Sequence, residues 1–233
     1  QSELIRNKEN RTFLNYVVGL GLALLTNKKG IKLKGMWRTI YILPYAMPAF
    51  ISLLVFRLMF NGIGPINNML VNFGIERIPF FTDPILAKIT VLAINTWVGA
   101  PYFMVLLSGS LTNISSTLYE AAEIDGATKM QQFKHITLPM LLFQTAPVLI
   151  LSFAYNFNNF GAIYLLTDGN PVNSNLKFAG ETDILVTWLY KLTVNQQQFG
   201  MAAVISIVLF AFIATVSLYN FRKSKSFTEE DMI

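Results

Sequence analysis

Two long apolar runs, residues 86–111 and 140–166, lie on either side of a polar stretch at residues 120–139. A helix needs about 20 apolar residues to cross the hydrocarbon core of a bilayer, and both runs exceed that length. The polar stretch has acidic side chains before Gly126 and lysines after it, so it cannot remain in hydrocarbon. The pattern therefore predicts two membrane-spanning helices joined by a structured segment in water.

The composition indicates more spans than these two. Hydrophobic residues make up 53% of the 233 residues and charged residues only 13%, with a mean hydropathy of +0.47. Residues 37–60 and 200–221 are long enough to span, and residues 13–25 form a shorter apolar run. We therefore predict an all-α polytopic membrane protein with about five transmembrane helices.

The basic residues indicate orientation rather than nucleic-acid binding. The formal net charge is +5, but the bases stand in short blocks beside apolar runs, as at residues 28–38. Such blocks flank membrane helices on the cytoplasmic side, which places the polar stretch and the C-terminus in the cytoplasm. With no cysteine and one histidine, His135, we expect neither a disulfide framework nor a metal site.

The sequence divides into an N-terminal segment, a transmembrane domain and a cytoplasmic tail, at residues 1–12, 13–225 and 226–233. Because the run at 13–25 is short for a span, we expect the chain to be truncated there, with further helices upstream or a non-native segment 1–12. Pro44 and Pro48 predict a helix that is kinked or partly unwound near its cytoplasmic half. We also predict a turn-rich outer loop at residues 61–83, and an amphipathic helix lying flat at the membrane interface at residues 184–192.

The polar stretch has a specific spacing: Glu-Ala-Ala, three residues, Gly, nine residues, Ile, one residue, Leu-Pro. It predicts two short helices joined by a turn at Gly126 and ending at Pro139, in a loop that spans residues 115–139. The spacing resembles the coupling loop of inner-membrane permease subunits of ABC importers. The residues that match are Glu120, Ala121, Ala122, Gly126, Ile136, Leu138 and Pro139.

This resemblance implies a type I permease fold whose loop docks in a groove of a cytoplasmic ATPase. Glu120 and Asp125 would then be polar anchors of that contact, and Gly126 its hinge. An ordinary amphipathic loop between spans is the alternative interpretation.

Polar residues inside the spans form two stripes. Ser152, Tyr155, Asn156 and Asn159 recur at helical spacing, with Asn158 pointing away from them. In the preceding span Asn95, Gly99 and Tyr102 form the second stripe. Amides and hydroxyls beside aromatic rings suit a neutral polyhydroxy ligand, whereas hydrogen bonding between helices is the alternative role.

At these stripes the chain resembles the MalF-type permease subunits of maltose and maltodextrin importers. The resemblance implies that seven residues bind the sugar: Ser152, Tyr155, Asn156, Asn159, Val98, Gly99 and Tyr102. Tyr155 stands where that family often has Phe, and Val98 where it has Leu. Asn170 replaces a Gly in the outer Thr-x-Gly-Gly-Pro loop, from which we expect a different loop shape.

The resemblance also implies the partners: a second permease subunit, two ATPase subunits and an extracellular sugar-binding protein, assembled in a bacterial plasma membrane. Met36 and Trp37 occupy the Lys and Ser/Thr positions after a Walker-like glycine spacing. We therefore expect no cofactor on this chain, with ATP and Mg on the partner subunits, and no enzyme activity of its own.

Three alternatives remain open. An ion-coupled secondary transporter is disfavoured because the assigned spans hold no Asp or Glu. A membrane-embedded enzyme lacks a recognisable catalytic set. Within the resembling family, the cargo could be a galactoside or raffinose-type oligosaccharide instead of maltodextrin.

Overall fold

The computed structural model describes residues 2–28, 30–157, 159–173 and 179–223. In this part of the chain the regular structure is helical, and the one strand-like pairing is an isolated bridge between Val172 and Gly180. The α-helices, in order, are α1 Ser2–Asn27, α2 Lys34–Ala46, α3 Ala49–Met59, α4 Pro65–Asn72, α5 Pro84–Thr112, α6 Ser116–Ile124, α7 Lys129–Gln132, α8 Leu138–Phe157, α9 Phe160–Thr167, α10 Leu185–Tyr190 and α11 Phe199–Lys223.

Three helical segments are long and apolar enough to cross a membrane: Pro84–Thr112, Lys129–Asn156 and Phe199–Tyr219. The α2–α3 pair makes a fourth if it is one broken span, and the apolar part of α1, Thr12–Asn27, is shorter. The predicted all-α polytopic fold is therefore confirmed. The tail at 226–233 and Asn158 lie outside the described residues.

The kink expected in residues 37–60 is a bend of 89° between α2 and α3. Pro44 lies inside α2, and Pro48 is the N-cap of α3. The residue before a proline is pushed out of the helical region, and Met47 accordingly has the extended angles φ −83° and ψ 143°. Two separate helices therefore replace one kinked span.

The expectation of one continuous helix across residues 140–166 is wrong. Helix α8 ends at Phe157, and α9 begins at Phe160. The Asn159 side chain accepts a hydrogen bond from the Ala162 backbone N–H at 3.4 Å and so caps α9. Asparagine is a preferred N-cap residue, and here that preference wins over continuation of the stripe through Asn159.

The polar loop at residues 115–139, called the elbow below, differs from its prediction in one respect. Helix α6 and the turn at Gly126, whose φ is +78°, form as expected. However, α7 continues through a π-helical turn, Phe133–Thr137, directly into α8. Pro139 has no backbone N–H for an α-helical bond, and the wider turn beside it lets the Leu138 N–H bond the Phe133 carbonyl instead.

The segments at residues 61–83 and 184–192 are more ordered than the sequence predicts. Residues 61–83 contain α4, and the fully buried Asn67 side chain hydrogen-bonds both the N–H and the carbonyl of Ile78. Beside helix α10, Ile184 and Leu192 are 4% and 1% exposed and pack inward, and the position of this helix at the membrane interface stays a prediction. In each segment a buried side chain, rather than loop composition, determines the structure.

Helix α1 runs parallel to α5 and antiparallel to α8. Gly19 brings α1 against Ala100 and Phe103 of α5, while the Tyr16 ring meets the Phe103 ring edge-on at 5.7 Å. On the other side the Tyr16 hydroxyl lies 3.2 Å from the Thr145 hydroxyl of α8. The three helices therefore form one packed group, with the small residue allowing the close approach.

We predict that Gly19→Ala destabilises the protein by about 1–3 kcal/mol, because small-to-large changes in packed cores cost that amount. A Cβ at Gly19 would lie 2.6 Å from the Phe103 Cβ and 2.9 Å from the Ala100 carbonyl oxygen. Gly21→Ala on the same helix is the matched control, because its Cβ would meet nothing within 4 Å. Thermal unfolding of the purified full-length protein measures both, and equal midpoints would contradict the close packing.

Candidate functional site

A cavity of about 610 Å³ opens between α1, the α2–α3 break, α5 and the α8–α9 break. All seven residues predicted to bind a ligand line it: Val98, Gly99, Tyr102, Ser152, Tyr155, Asn156 and Asn159. The structure therefore brings the two stripes together around one space, although Asn159 reaches it from a helix cap. Their role in binding remains a prediction.

The cavity wall is uncharged, and it combines apolar side chains with amides and hydroxyls. Its described lining includes four asparagines, Asn15, Asn95, Asn156 and Asn159, and no Asp, Glu, Lys, Arg or His. Amide groups offer both donors and acceptors of hydrogen bonds without favouring either sign of charge. This lining suits a neutral ligand that carries many hydroxyl groups.

Aromatic side chains form the other part of the wall. The Tyr45 and Tyr102 rings lie 5.9 Å apart between centroids, tilted by 36°. Tyr155 keeps 69% of its surface exposed, so its ring is available to a ligand. Such rings give flat apolar faces against which the C–H face of a ring-shaped ligand can pack.

Two predicted residues also have structural roles. The Asn156 amide nitrogen donates to the Thr12 hydroxyl at 2.8 Å and to the Ser152 carbonyl at 3.0 Å, which fixes the side chain. At Gly99 a Cβ would lie 2.3 Å from the amide nitrogen of Asn15. Gly99 thus lets the Asn15 side chain cross α5 at this point.

The sequence analysis missed Asn15 and Tyr45 as cavity residues. Asn15 lies in the short apolar run at 13–25, whose pattern predicts only that the span is short. Tyr45 precedes the break at Met47, and only the 89° bend turns that position toward the cavity. In the sequence Asn15 is a lone amide in an apolar helix, and Tyr45 is a tyrosine beside two prolines. Neither feature is specific for ligand binding.

The elbow projects from the described helices with little of its surface covered. Glu120, Ala121, Asp125, Gly126 and Pro139 are exposed, whereas Ala122, Ile136 and Leu138 are half-buried. The elbow also exposes three large apolar side chains, Leu118 at 42%, Ile124 at 87% and Met130 at 72%.

Hydrogen bonds make the elbow rigid. The Ser115 hydroxyl caps α6, and Thr128 and Gln131 form a reciprocal capping box at the start of α7. The Tyr119 hydroxyl lies 2.8 Å from the Thr137 hydroxyl and joins α6 to the π-helical turn. The ion pair between Lys129 and Glu123 is exposed and contributes little to stability.

One helix joins the elbow to the cavity. The segment Lys129–Asn156 is a single helical rod of 28 residues, about 42 Å long at 1.5 Å per residue. Its first eleven residues, 129–139, lie in the elbow, and Ser152 and Asn156 near its other end line the cavity. The elbow and the cavity wall are therefore joined by one continuous helix.

Solved structures that share this fold include chains of ABC transporters. The chain is similar to one in a bacterial ABC transporter involved in the import of the acidic polysaccharide alginate, with a TM-score of 0.76 and 25% identity, covering 97% of this chain and 80% of that one. It also matches the fold of the MetNI methionine ABC transporter, with a TM-score of 0.60 at 18% identity, covering 95% of this chain and 93% of that one. The fold is thus that of an ABC transporter permease.

Residues 15–225 match the family described as the binding-protein-dependent transport system inner membrane component, and the chain belongs to that family. It is 42% identical to the maltodextrin transport permease MdxF of Bacillus subtilis, over 95% of this chain and 53% of that protein. It is 41% identical to the galactooligosaccharide permease GanP of the same organism, over 93% of this chain and 52% of the relative. A maltose/maltodextrin permease, MalF of Vibrio vulnificus, is 43% identical over 91% of this chain and 42% of that protein.

These matches confirm the resemblance from which the fold was predicted. The chain spans about half the length of the curated relatives it matches. Family membership also confirms that the protein is an integral membrane component.

We predict that Thr12→Val lowers the free energy of unfolding by about 1 kcal/mol, because the buried Asn156 amide loses its acceptor. Thr26→Val is the matched control on the same helix. Among the described residues, the buried Thr26 hydroxyl bonds only carbonyls of its own helix, at 2.8 and 3.2 Å. Thermal unfolding of the purified full-length protein measures the difference, and a smaller loss for Thr12→Val than for Thr26→Val would contradict this link.

Proposed function

We propose that this chain is the permease subunit of an ATP-driven importer that carries a neutral oligosaccharide of the maltodextrin type across a bacterial plasma membrane. Its partners are a second permease subunit, two ATPase subunits and an extracellular sugar-binding protein. ATP and Mg bind the ATPase subunits, and the permease itself is not an enzyme.

The observation that supports this best is the uncharged cavity and its position. It lies among the spans, joins amides from α5 and α8 to tyrosine rings, and connects through one continuous helix to an exposed elbow. Sugar hydroxyls would bind Asn156, Asn159 and Ser152, while Tyr102 and Tyr155 would pack against the C–H faces of the sugar rings. Val98 and Gly99 complete that wall.

The absence of charge in the described lining favours a neutral sugar. The similar alginate transporter imports an acidic polysaccharide, for which a wall without Lys or Arg would offer no counter-charge. Identities of 42% to MdxF and 41% to GanP support two neutral cargoes almost equally. A galactooligosaccharide is therefore the second candidate. We prefer maltodextrin because the residues of the two polar stripes resemble those of the MalF-type permeases of maltodextrin importers.

The elbow would couple the cavity to the ATPases. Glu120 and Asp125 would make the polar contacts, Ile124 and Met130 would fill apolar hollows of the partner, and the left-handed backbone at Gly126 would keep the turn tight. ATP-driven closure would displace the elbow and tilt the Lys129–Asn156 rod, opening the cavity to alternate sides of the membrane.

The bases at residues 28–38 support a cytoplasmic elbow. Helix α1 leads into this block and runs parallel to α5, which leads into the elbow, so the two helices end on the same side. The positive-inside rule assigns that side to the cytoplasm. The C-terminus would follow there after α11.

Uptake of labelled maltotriose tests the proposed function directly. In cells lacking their own permease, the full-length protein with its partners restores uptake that ATP depletion abolishes and a proton uncoupler leaves intact while ATP is maintained. Unlabelled galactooligosaccharide is added in competition and separates the two cargoes. Uptake that follows the ion gradient would instead support a secondary transporter.

We predict that Ile124→Glu weakens association with the ATPase subunits by about tenfold, because a charge replaces a central apolar contact. Ile124 is 87% exposed, so the substitution leaves the fold of the permease intact. Ile63→Glu is the control, since Ile63 is 77% exposed but lies in the opposite, outer segment. Co-purification of ATPase subunits with each variant measures the effect, and equal recovery would exclude the elbow as the docking site.

We predict that Tyr155→Ala raises the KM for sugar uptake about fivefold through loss of the aromatic face. Phe210→Ala is the matched control, because Phe210 is also exposed, at 73%, and lies on α11 away from this cavity. Expression levels of both variants are compared by immunoblot. An unchanged KM for Tyr155→Ala would remove the ring from the binding site.

A further inference from the structure

The turn between α1 and α2 carries basic side chains that nothing in the described part of the chain neutralises. Lys28 and Lys32 are exposed and Lys34 is half-buried, and none of the three has an ion pair or side-chain hydrogen bond among the described residues. The sequence holds no Asp or Glu from residue 10 to residue 75. These lysines therefore need a counter-charge from outside this region of the chain.

Many of the other bases in the described residues have a partner within the chain. These pairs are Lys88 with Glu181, Lys129 with Glu123, Lys191 with Asp183, Arg57 with the Leu165 carbonyl and Arg77 with the Gly62 carbonyl. A single unpaired lysine on a surface is ordinary. Three within the seven residues 28–34 form a patch of one sign, which attracts groups of the opposite charge.

Hydrogen bonds hold this turn in a fixed shape. The Asn27 amide nitrogen donates to the Ala23 carbonyl at 2.8 Å, and the Asn27 amide oxygen accepts from the Arg38 guanidinium at 2.7 Å. The end of α1 is thereby joined to the first turns of α2. Leu33, just before α2, has the left-handed backbone angle φ 57° that reverses the chain here. The lysines are thus presented together on an ordered turn.

The exposed face of α2 beside this turn is apolar. Its exposed apolar side chains recur at helical spacing and are Met36, Trp37, Ile40 and Leu43. On the other side of α2, Tyr41 and Ile42 pack against the core formed with α1 and α5. The Trp37 and Tyr41 rings stack with centroids 6.1 Å apart. Trp and Tyr are enriched where a membrane helix meets the headgroup region, so this face and the lysines border one membrane interface.

We propose that the turn at residues 28–34 and the exposed face of α2 bind an anionic phospholipid of the cytoplasmic leaflet. The lysine ammonium groups pair with the headgroup phosphate, and Trp37 and Ile40 pack against the start of the acyl chain. A phospholipid presents an anionic group and hydrocarbon together, so one occupant matches both the charge and the apolar face. The leaflet follows from the proposed orientation, whereas the site itself is independent of the cargo.

An acidic surface of a partner protein would match the lysines alone, and the experiment separates it from a lipid. The chain has no cysteine, so Thr39→Cys can carry a single bimane label once the cysteines of the partner subunits are replaced. The Thr39 side chain is exposed and bonds only the Gly35 carbonyl of its own helix among the described residues. Bromine quenches the label on contact, which makes residue 39 a local reporter of bound lipid.

The full transporter is reconstituted in phosphatidylcholine nanodiscs that contain brominated phosphatidylglycerol or brominated phosphatidylcholine. Relative quenching gives the preference for the anionic lipid, which we expect to be about tenfold, because each base close to anionic lipid contributes up to about fivefold before screening by salt. The combined variant Lys28→Gln, Lys32→Gln and Lys34→Gln lowers this preference to about one. Lys32→Gln alone lowers it about twofold and serves if the combined variant does not assemble.

Two controls separate charge from other effects of substitution. Changing the same three lysines to arginine retains the charge, and this variant keeps the tenfold preference. Lys134→Gln removes one charge from the exposed elbow, away from the turn, and also keeps the preference.

The proposal is overturned if the glutamine variants keep the wild-type preference, if the arginine variant loses it, or if neither brominated lipid quenches the label. Retention of the preference with loss of the ATPase subunits on size-exclusion chromatography would show that the lysines bind a protein partner instead. Nanodiscs present the same lipids on both faces, so the result does not depend on the orientation. The proposed function is tested separately by sugar uptake and stands or falls on its own.

Discussion

Hydrocarbon offers no hydrogen bonds, and this constraint decides where the helices of a membrane protein can be interrupted. The chain is interrupted at Met47–Pro48 and again between Phe157 and Phe160. Both interruptions border the same cavity, because Met47 and Asn159 are among its lining residues. Irregular backbone within a membrane is tolerated where it lines a cavity or is buried in protein. Both helix breaks therefore lie at the cavity, where their free backbone groups and the amide side chains are kept away from lipid.

The helix that leads out of the elbow meets the same constraint without a break. At Pro139 the loss of a backbone donor could have ended a helix, yet the π-helical turn Phe133–Thr137 takes up the irregularity without a break. The rod that results extends from the exposed capping box to Asn156. The irregular turn in the rod leaves the helix continuous, whereas the irregularities at the cavity interrupt it.

Much of this architecture could be predicted from the sequence. Apolar length gave α5 and α11 to within a few residues, and the spacing of the Glu-Ala-Ala stretch gave α6 and the Gly126 turn. The continuation of α7 into α8 was not predictable by the same means, because a proline suggests a boundary and only the three-dimensional structure reveals the wider turn. Asn159 fits both a helical stripe and an N-cap, and periodicity cannot choose between them. Asn15 was missed because its significance depends on Gly99, 84 positions along the chain, and no local pattern connects the two.

The contact between α1 and α5 also affects the shape of the cavity. At Gly19 the two backbones approach so closely that even a methyl group would overlap with Phe103. The contact has no room for added atoms at this point, so any side chain at residue 19 would push the two helices apart. Asn15, one helical turn before Gly19, lines the cavity together with Gly99 of α5. The spacing of α1 and α5 at Gly19 therefore also sets the shape of the cavity wall one turn away.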